Sequence, residues 1–462
     1  MIRKQHILAA VITVSMLIPR SSAFAANYTE AKQAAGTTTN FDKYFVMDAG
    51  TSVPNADFTF TIAPGMEKQA TPGTQAVPES WEYDGSVYDT EQAAKAAVEA
   101  AQGDPSDIIH REAVAAAPAT VAVMAGIGDP VITWDSNAGT GKENVVRFSR
   151  ADSASTTASG TDSVKGLTVG KQYAKHTATV SFAGIRFPEP GIYRYIINET
   201  VPAAAERPQG VSYDTNPMRY LDVYVEDDGS GALSVDGYIL HAADSAVPAG
   251  ANAGSAGENT QTDNKSQGFT NVYESYELTV SQTVSGNQAS HDKYFKINVK
   301  IENAPANAVF NVSIADDNND STADGNADVS PTANSATVYT GMTNPASITA
   351  NASGTVEQDF YLQHGQSIVI RGITPETKYT VTETQEDYKP SVTATSGTVD
   401  NAGNKVTVTS ADADNTVAFT NSRAGTIPTG VIVTVFPYAI TAACAAALLI
   451  LLRKKKENSG EN

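Results

Sequence analysis

One short pattern occurs twice in this chain and limits its fold more than any other feature. Tyr195-Ile196-Ile197-Asn198-Glu199-Thr200 recurs as Tyr379-Thr380-Val381-Thr382-Glu383-Thr384, and Phe269-Thr270-Asn271 recurs, later in each copy, as Phe419-Thr420-Asn421. Two segments repeated in the same order indicate two copies of one domain in tandem, placed at 26–273 and 274–423. Within the copies, Leu221, Val223 and Val225 alternate with Asp222, Tyr224 and Glu226, and Tyr379, Val381 and Glu383 alternate with Thr380, Thr382 and Thr384. Period two predicts half-buried antiparallel strands. Similar runs cover 57–62, 177–182, 192–197, 278–284, 294–301 and 417–421, and nothing resembles a βαβ alternation. The expected fold is all-β, two tandem β-sandwiches.

One stretch departs from this pattern. Residues 91–102 carry strong helix formers, Glu91 and Lys95 at i,i+4 and Gly103 as a stop, so a small helical insertion is expected in the first domain. The Ala-, Ser- and Gly-rich stretch 242–267 is expected to be a long exposed loop before the final strand of that domain.

The two ends look removable. Arg3 and Lys4 precede an apolar stretch at 7–18 and the small-residue site Ala23-Phe24-Ala25, which together describe a secretory signal peptide over 1–25. At the other end, 424–462, an apolar run at 431–452 is long enough for a membrane helix, and Arg453, Lys454, Lys455 and Lys456 mark its cytoplasmic side. The one cysteine, Cys444, lies in that tail, so the exported part holds no disulfide. A formal charge of −20, which deepens once the basic ends are cut away, argues against nucleic acid as a partner.

Placing the polar residues on strand faces brings out one constellation. Phe41, Lys43, Phe45 and Met47 share a face, as do Tyr193, Tyr195, Ile197 and Glu199, and Phe269, Asn271 and Tyr273. A lysine, a carboxyl and an amide thus point into an apolar core, where each is costly alone, so the three are expected to be neighbours. Burial favours a neutral amine and a neutral acid. Attack of the Lys43 amine on the Asn271 side-chain carbonyl, with Glu199 as self-directed catalytic proton shuttle, expels ammonia and leaves an amide cross-link. The reaction occurs once and turns over no substrate, so the chain is not an enzyme. The same residues also fit a buried Lys43–Glu199 salt bridge with a hydrogen-bonding asparagine.

At these residues, and in the order of Lys43, Phe58-Thr59-Phe60, Tyr195 to Glu199, Tyr213-Asp214, Leu221 to Val225 and Phe269-Thr270-Asn271, the chain resembles the major pilins of Gram-positive pili, of the streptococcal T-antigen type. The tail Ile427-Pro428-Thr429-Gly430 resembles the sorting signal that sortases cut between Thr and Gly. The resemblance implies two Ig-like, Greek-key β-sandwich pilin domains, a Lys43–Asn271 isopeptide bond, and a backbone subunit joined through Thr429 to a lysine of the next copy. Near where the family places its acceptor stands Lys265. The implied partners are a pilus-class sortase, other copies of the chain, peptidoglycan, minor pilins and a host surface; the membrane is a partner only before sorting, and no cofactor is implied. A cell-wall-anchored adhesin that is cut but not polymerised is the competing function.

The second copy departs from the family, which carries a bond in both domains. Glu383 and Asn421 are present, but Gln282 stands at the lysine's place, so this domain is expected to be unlinked unless Lys293 substitutes. The acidic stretch 316–328 lacks the glycine and glutamate of a calcium loop and is expected to be a solvated turn, with no metal site.

Overall fold

The computed structural model describes residues 29–134, 144–160, 162–249, 265–316, 337–339 and 342–425. The proposed signal peptide, the sorting motif 427–430, the apolar run 431–452 and nearly all of the acidic stretch 316–328 lie outside them. Among the described residues no helix is long and apolar enough to cross a membrane. The chain divides between Glu274 and Ser275 into two compact units.

The main elements of the first unit are β1 (Thr38–Asp48), β2 (Ala56–Pro64), β3 (Ser80–Tyr83), β4 (Ser86–Tyr88), α1 (Glu91–Ala101), β5 (Ile109–Arg111), β6 (Val131–Trp134), β7 (Val145–Phe148), β8 (Lys171–Ser181), β9 (Gly191–Glu199), β10 (Val211–Ser212), β11 (Met218–Asp227), β12 (Leu233–His241) and β13 (Gly268–Tyr273). One sheet runs β7-β2-β9-β11-β12 and the other β10-β13-β1-β8-β6. The inner faces bury Phe41, Phe45, Phe58, Phe60, Phe148 and Phe269 in one cluster. Edge-to-face contacts such as Phe41–Phe60 at 5.1 Å bind the two sheets together. The pairing of β13 with β1 is parallel, the others in that sheet antiparallel.

The outer face of β11 is not the solvent face that alternation predicts. Asp222 is fully buried beneath a bidentate pair with Arg194, both bonds 2.7 Å, and Arg194 also donates to Asp244. Val123 and Val247 pack there with Ile192 and Tyr224. Segments distant in sequence therefore cover this sheet. Of the stretch 242–267, residues 250–264 lie outside the described residues; on either side of them Val247–Pro248 pairs with Thr120–Val121, and the Lys265 backbone bridges His241.

The insertion between β2 and β6 carries the helix. Thr90 caps α1 by accepting the Ala93 N–H at 3.2 Å, and Glu91 meets Lys95 at 2.7 Å. The residue that ends the helix in the left-handed conformation is Gln102, φ 51°, rather than Gly103. Gly103 has a different role, since a Cβ there would collide with the Tyr83 hydroxyl. Two extended segments lead to this small β3-β4-β5 and α1 head. They pair at Lys68/Val123, Thr71/Thr120, Thr74/Ala117 and Val77/Val114, exchanging two backbone hydrogen bonds at each pair. Intervals of three match the polyproline repeat rather than a pleated strand.

The main elements of the second unit are β14 (Tyr276–Ser285), β15 (Phe295–Glu302), β16 (Val309–Asp316), β17 (Ser347–Thr349), β18 (Val356–Leu362), β19 (Gln366–Ile373), β20 (Lys378–Glu383), β21 (Lys389–Ala394), β22 (Thr398–Val399), β23 (Lys405–Val408) and β24 (Asn415–Ser422). Its sheets run β17-β16-β19-β14-β24-β21 and β18-β15-β20-β23-β22 around an aliphatic core that includes Val280, Ile297, Val299, Ile370 and Val381. Again the first and last strands, β14 and β24, lie side by side and parallel. The chain is thus all-β, as its alternation predicts.

Candidate functional site

In the first unit, β1 and β13 present Lys43 and Asn271 from one sheet, and β9 presents Glu199 from the other. The parallel register sets Phe269 against Lys43 and Asn271 against Phe45. All three polar side chains are buried, with exposures of 0%, 1% and 0% for Lys43, Glu199 and Asn271. They converge on one atom. The Lys43 ammonium donates to Glu199 Oε1 at 2.8 Å, and the Asn271 amide nitrogen donates to the same oxygen at 2.7 Å. Among the described residues Glu199 Oε2 has no hydrogen-bond partner, a costly condition for a buried carboxyl oxygen.

The walls are aromatic, with the Lys43 nitrogen 4.6 Å from the Phe58 ring centre and 5.9 Å from that of Phe60. Burial lowers the Lys43 pKa to about 8, against the opposing pull of Glu199. An appreciable share of the amine is therefore neutral near physiological pH. On the other side, Asn271 Oδ1 accepts the Asp214 backbone N–H at 2.8 Å. Asp214 in turn pairs with Arg219 at 2.7 Å.

This arrangement can carry a proton from one nitrogen to the other through Glu199 Oε1, while the amide carbonyl is polarised separately. Sequence reasoning on the strands finds the three side chains but not the group that meets the carbonyl: here Oδ1 meets the Asp214 N–H, and the carboxylate meets the two nitrogens. The missed signal is Arg219, which extends the inward alternation of Leu221, Val223 and Val225 by one step and needs a buried acid.

The second unit repeats the geometry with one replacement. Gln282 pairs with Phe419 and Val284 with Asn421, the same two-residue offset as in the first unit. Asn421 donates to Glu383 Oε1 at 2.6 Å, and Gln282, Glu383 and Asn421 are buried. Gln282 Oε1 and Glu383 Oε2 both lack hydrogen-bond partners among the described residues. Burial raises the Glu383 pKa to about 7, against the lowering effect of the Asn421 hydrogen bond. Lys293 is engaged elsewhere, paired with Glu386 and 3.6 Å from Asp387, with its ammonium over the Tyr388 ring.

Lys265 is exposed at the entry to β13, on a groove of about 580 Å³ also lined by Lys165, Asp214, Arg219 and Thr270.

Residues 140–274, which contain Glu199 and Asn271, match the family described as "Spy0128-like isopeptide containing domain". The chain resembles Gram-positive major pilins. A curated "Pilin" of Streptococcus pyogenes serotype M1 is 29% identical over 272 residues, covering 57% of this chain and 66% of that protein, just under two thirds of its length. The crystal structure of the major pilin from Streptococcus pyogenes aligns at 19% identity and a TM-score of 0.42, covering 84% of this chain and 99% of that one. The T3.2 major pilin of the same organism aligns at 16% identity and a TM-score of 0.37, covering 85% and 100%. Residues 276–423 of this pilin-like chain match a different family, a domain of unknown function, DUF7601.

Proposed function

We propose that this chain is the backbone subunit of a covalently polymerised cell-surface pilus, with a Lys43–Asn271 isopeptide bond in its first unit and none in its second. The observation that carries the proposal is the convergence of a buried lysine and a buried asparagine on one oxygen of Glu199. Such a group is expensive as a permanent salt bridge, and the cross-link removes the buried charge. It also ties the first strand of the unit to the last.

A pilus-class sortase would cut between Thr429 and Gly430, its cysteine taking the Thr429 acyl group and the remainder from Gly430 leaving with a new amine. The acceptor is Lys265 of another copy, supported by its exposed side chain beside the groove, although its backbone is held by the bridge to His241 rather than lying in a free loop. The last acyl group passes to a peptidoglycan amine, placing the fibre on the cell wall. Co-expression with the cognate sortase, followed by a denaturing gel, tests this. A ladder of covalent oligomers lost in Lys265→Ala supports the shaft. A ladder unchanged by that substitution moves the acceptor, and monomer joined only to wall fragments favours the adhesin.

A further inference from the structure

Bond formation between Lys43 and Asn271 creates one charge that the trio itself does not meet. When the Lys43 nitrogen adds to Asn271 Cγ, the carbonyl oxygen Oδ1 becomes an oxyanion, in an apolar core walled by Phe58, Phe60 and Phe269 and out of reach of bulk water. An oxyanion in such a place needs a preorganised donor. Glu199 is not that donor, since its Oε1 faces the two nitrogens.

We infer that the backbone N–H of Asp214 is the oxyanion donor of this reaction and that the Asp214–Arg219 pair is the device that aims it. The inference rests on the isopeptide reading of the trio. The N–H stands 2.8 Å from Oδ1, inside the 2.7–3.1 Å range of effective oxyanion donors. Its aim is fixed twice. The Asp214 carboxylate accepts the N–H of Thr270 at 3.1 Å, the residue preceding Asn271 on β13, and that of Asn216 at 3.1 Å. Arg219 then donates to Asp214 Oδ2 at 2.7 Å, to Gly268 O and Ser266 Oγ at 2.8 Å, and to Asn216 O at 2.6 Å, with its guanidinium 4.6 Å from the Phe269 ring centre. The loop bearing the donor and the strand bearing the acceptor are therefore held by one fork. Although burial opposes ionisation, the Asn216 and Thr270 N–H bonds and Arg219 keep the Asp214 carboxyl below its ordinary range, so the fork stays charged.

The step balances without a co-reactant. The Lys43 nitrogen forms a bond to Asn271 Cγ and passes a proton to Glu199 Oε1. The C–N bond to Asn271 Nδ2 breaks, Glu199 returns the proton to that nitrogen, and ammonia leaves. Asp214 N–H and Oδ1 keep their hydrogen bond throughout, strongest at the tetrahedral stage.

The test is a time course on the full chain after cell-free synthesis, in which tryptic peptides report the fraction of Lys43 joined to Asn271 between pH 6 and 10. Asp214→Ala keeps the N–H but frees the loop, and is expected to link about 100-fold more slowly. The midpoint of its pH–rate profile should stay with the Lys43 amine, near 8. Asp214→Asn keeps an acceptor for only one of the two N–H groups, which the carboxylate takes on different oxygens, and its NH2 cannot accept from Arg219, so it should link at a rate between Asp214→Ala and the wild type. A folded Asp214→Ala that links at the wild-type rate overturns the inference, as does a slowed one whose midpoint moves with it, since that marks a general loosening of the core. Should Asp214→Ala lack the folded circular dichroism spectrum, Arg219→Lys, which keeps the charge but not the fork, carries the same expectation and the same reversal. No link in the wild type would instead overturn the isopeptide reading.

Discussion

The two units hold the same three positions in the same register, yet only one of them holds a nucleophile. In the first, Lys43 and Asn271 flank Glu199; in the second, Gln282 and Asn421 flank Glu383. The carboxyl and the asparagine are common to both, so on the proposed reading neither separates the unit expected to link from the one expected not to. The lysine does. Its replacement also changes what the carboxyl feels, because among the described residues no cation stands beside Glu383, and burial pushes its pKa up to about 7. A buried acid next to an amine can relay a proton, whereas the same acid beside two amides, with its pKa raised to about 7, holds its proton only through mildly acidic pH.

The greatest change should come from disabling the trio of the first unit. Glu199→Ala leaves Lys43 buried without its carboxylate and removes the proton relay, so the cross-link should not form. The linked chain should exceed this variant in unfolding free energy by about 4 kcal/mol, taking a disulfide that closes a long loop as the analogue. Differential scanning calorimetry reads the difference, and a variant as stable as the parent would show that the bond contributes nothing.

Gln282→Lys approaches the contrast from the other side. It supplies the one group the second unit lacks, on the strand that already faces Asn421, and a second ammonia should be lost from the chain. The gain in that unit should approach the same value, about 4 kcal/mol. If the substituted chain stays unlinked while folded, the retained Glu383 and Asn421 are not a sufficient framework.

The next effect depends on pH. Glu383 holds its proton to about 7 in the folded unit against an ordinary value of 4.5, so the folded state binds more protons between those values. Its contribution is fully present below about pH 4.5 and is lost as pH rises through 7, amounting to about 3 kcal/mol. Thermal melts of the second unit's transition from pH 4 to 8 should show this fall, and Glu383→Gln should flatten it. A transition that strengthens over the same interval would mean an ionised Glu383 is stabilised by a partner.

A minor effect is expected at Lys293. Its pairing with Glu386 is partly exposed, so Lys293→Ala should change stability by less than about 1 kcal/mol and leave the mass unchanged apart from the substitution. A cross-linked peptide containing Lys293 and Asn421 would end the contrast between the units.

Much of this architecture is legible in the amino-acid sequence, and the parts that are not share a cause. Period two places Lys43, Glu199 and Asn271 on inward faces among phenylalanines, and an apolar core offers no other side-chain partners to the pattern, which leaves out the Asp214 backbone N–H that Asn271 accepts. The repeat then places Gln282, Glu383 and Asn421 by the same rule. Alternation on β11, in contrast, predicts an outward Asp222 that is in fact buried, because the covering residues Val123 and Val247 come from segments no local pattern connects. The paired segments at 68–77 and 114–123 follow a three-residue interval, which a search for pleated strands passes over. Asp214 acts through its backbone, and a backbone donor leaves no side-chain signature.

The central proposal is a single bond, in the first unit alone, and the intact mass of recombinant residues 26–425 tests it without intermediate steps. That mass should fall one ammonia below the sequence mass and return to the full value expected for the substituted sequence in Glu199→Ala. A wild-type chain at its full sequence mass would contradict the bond.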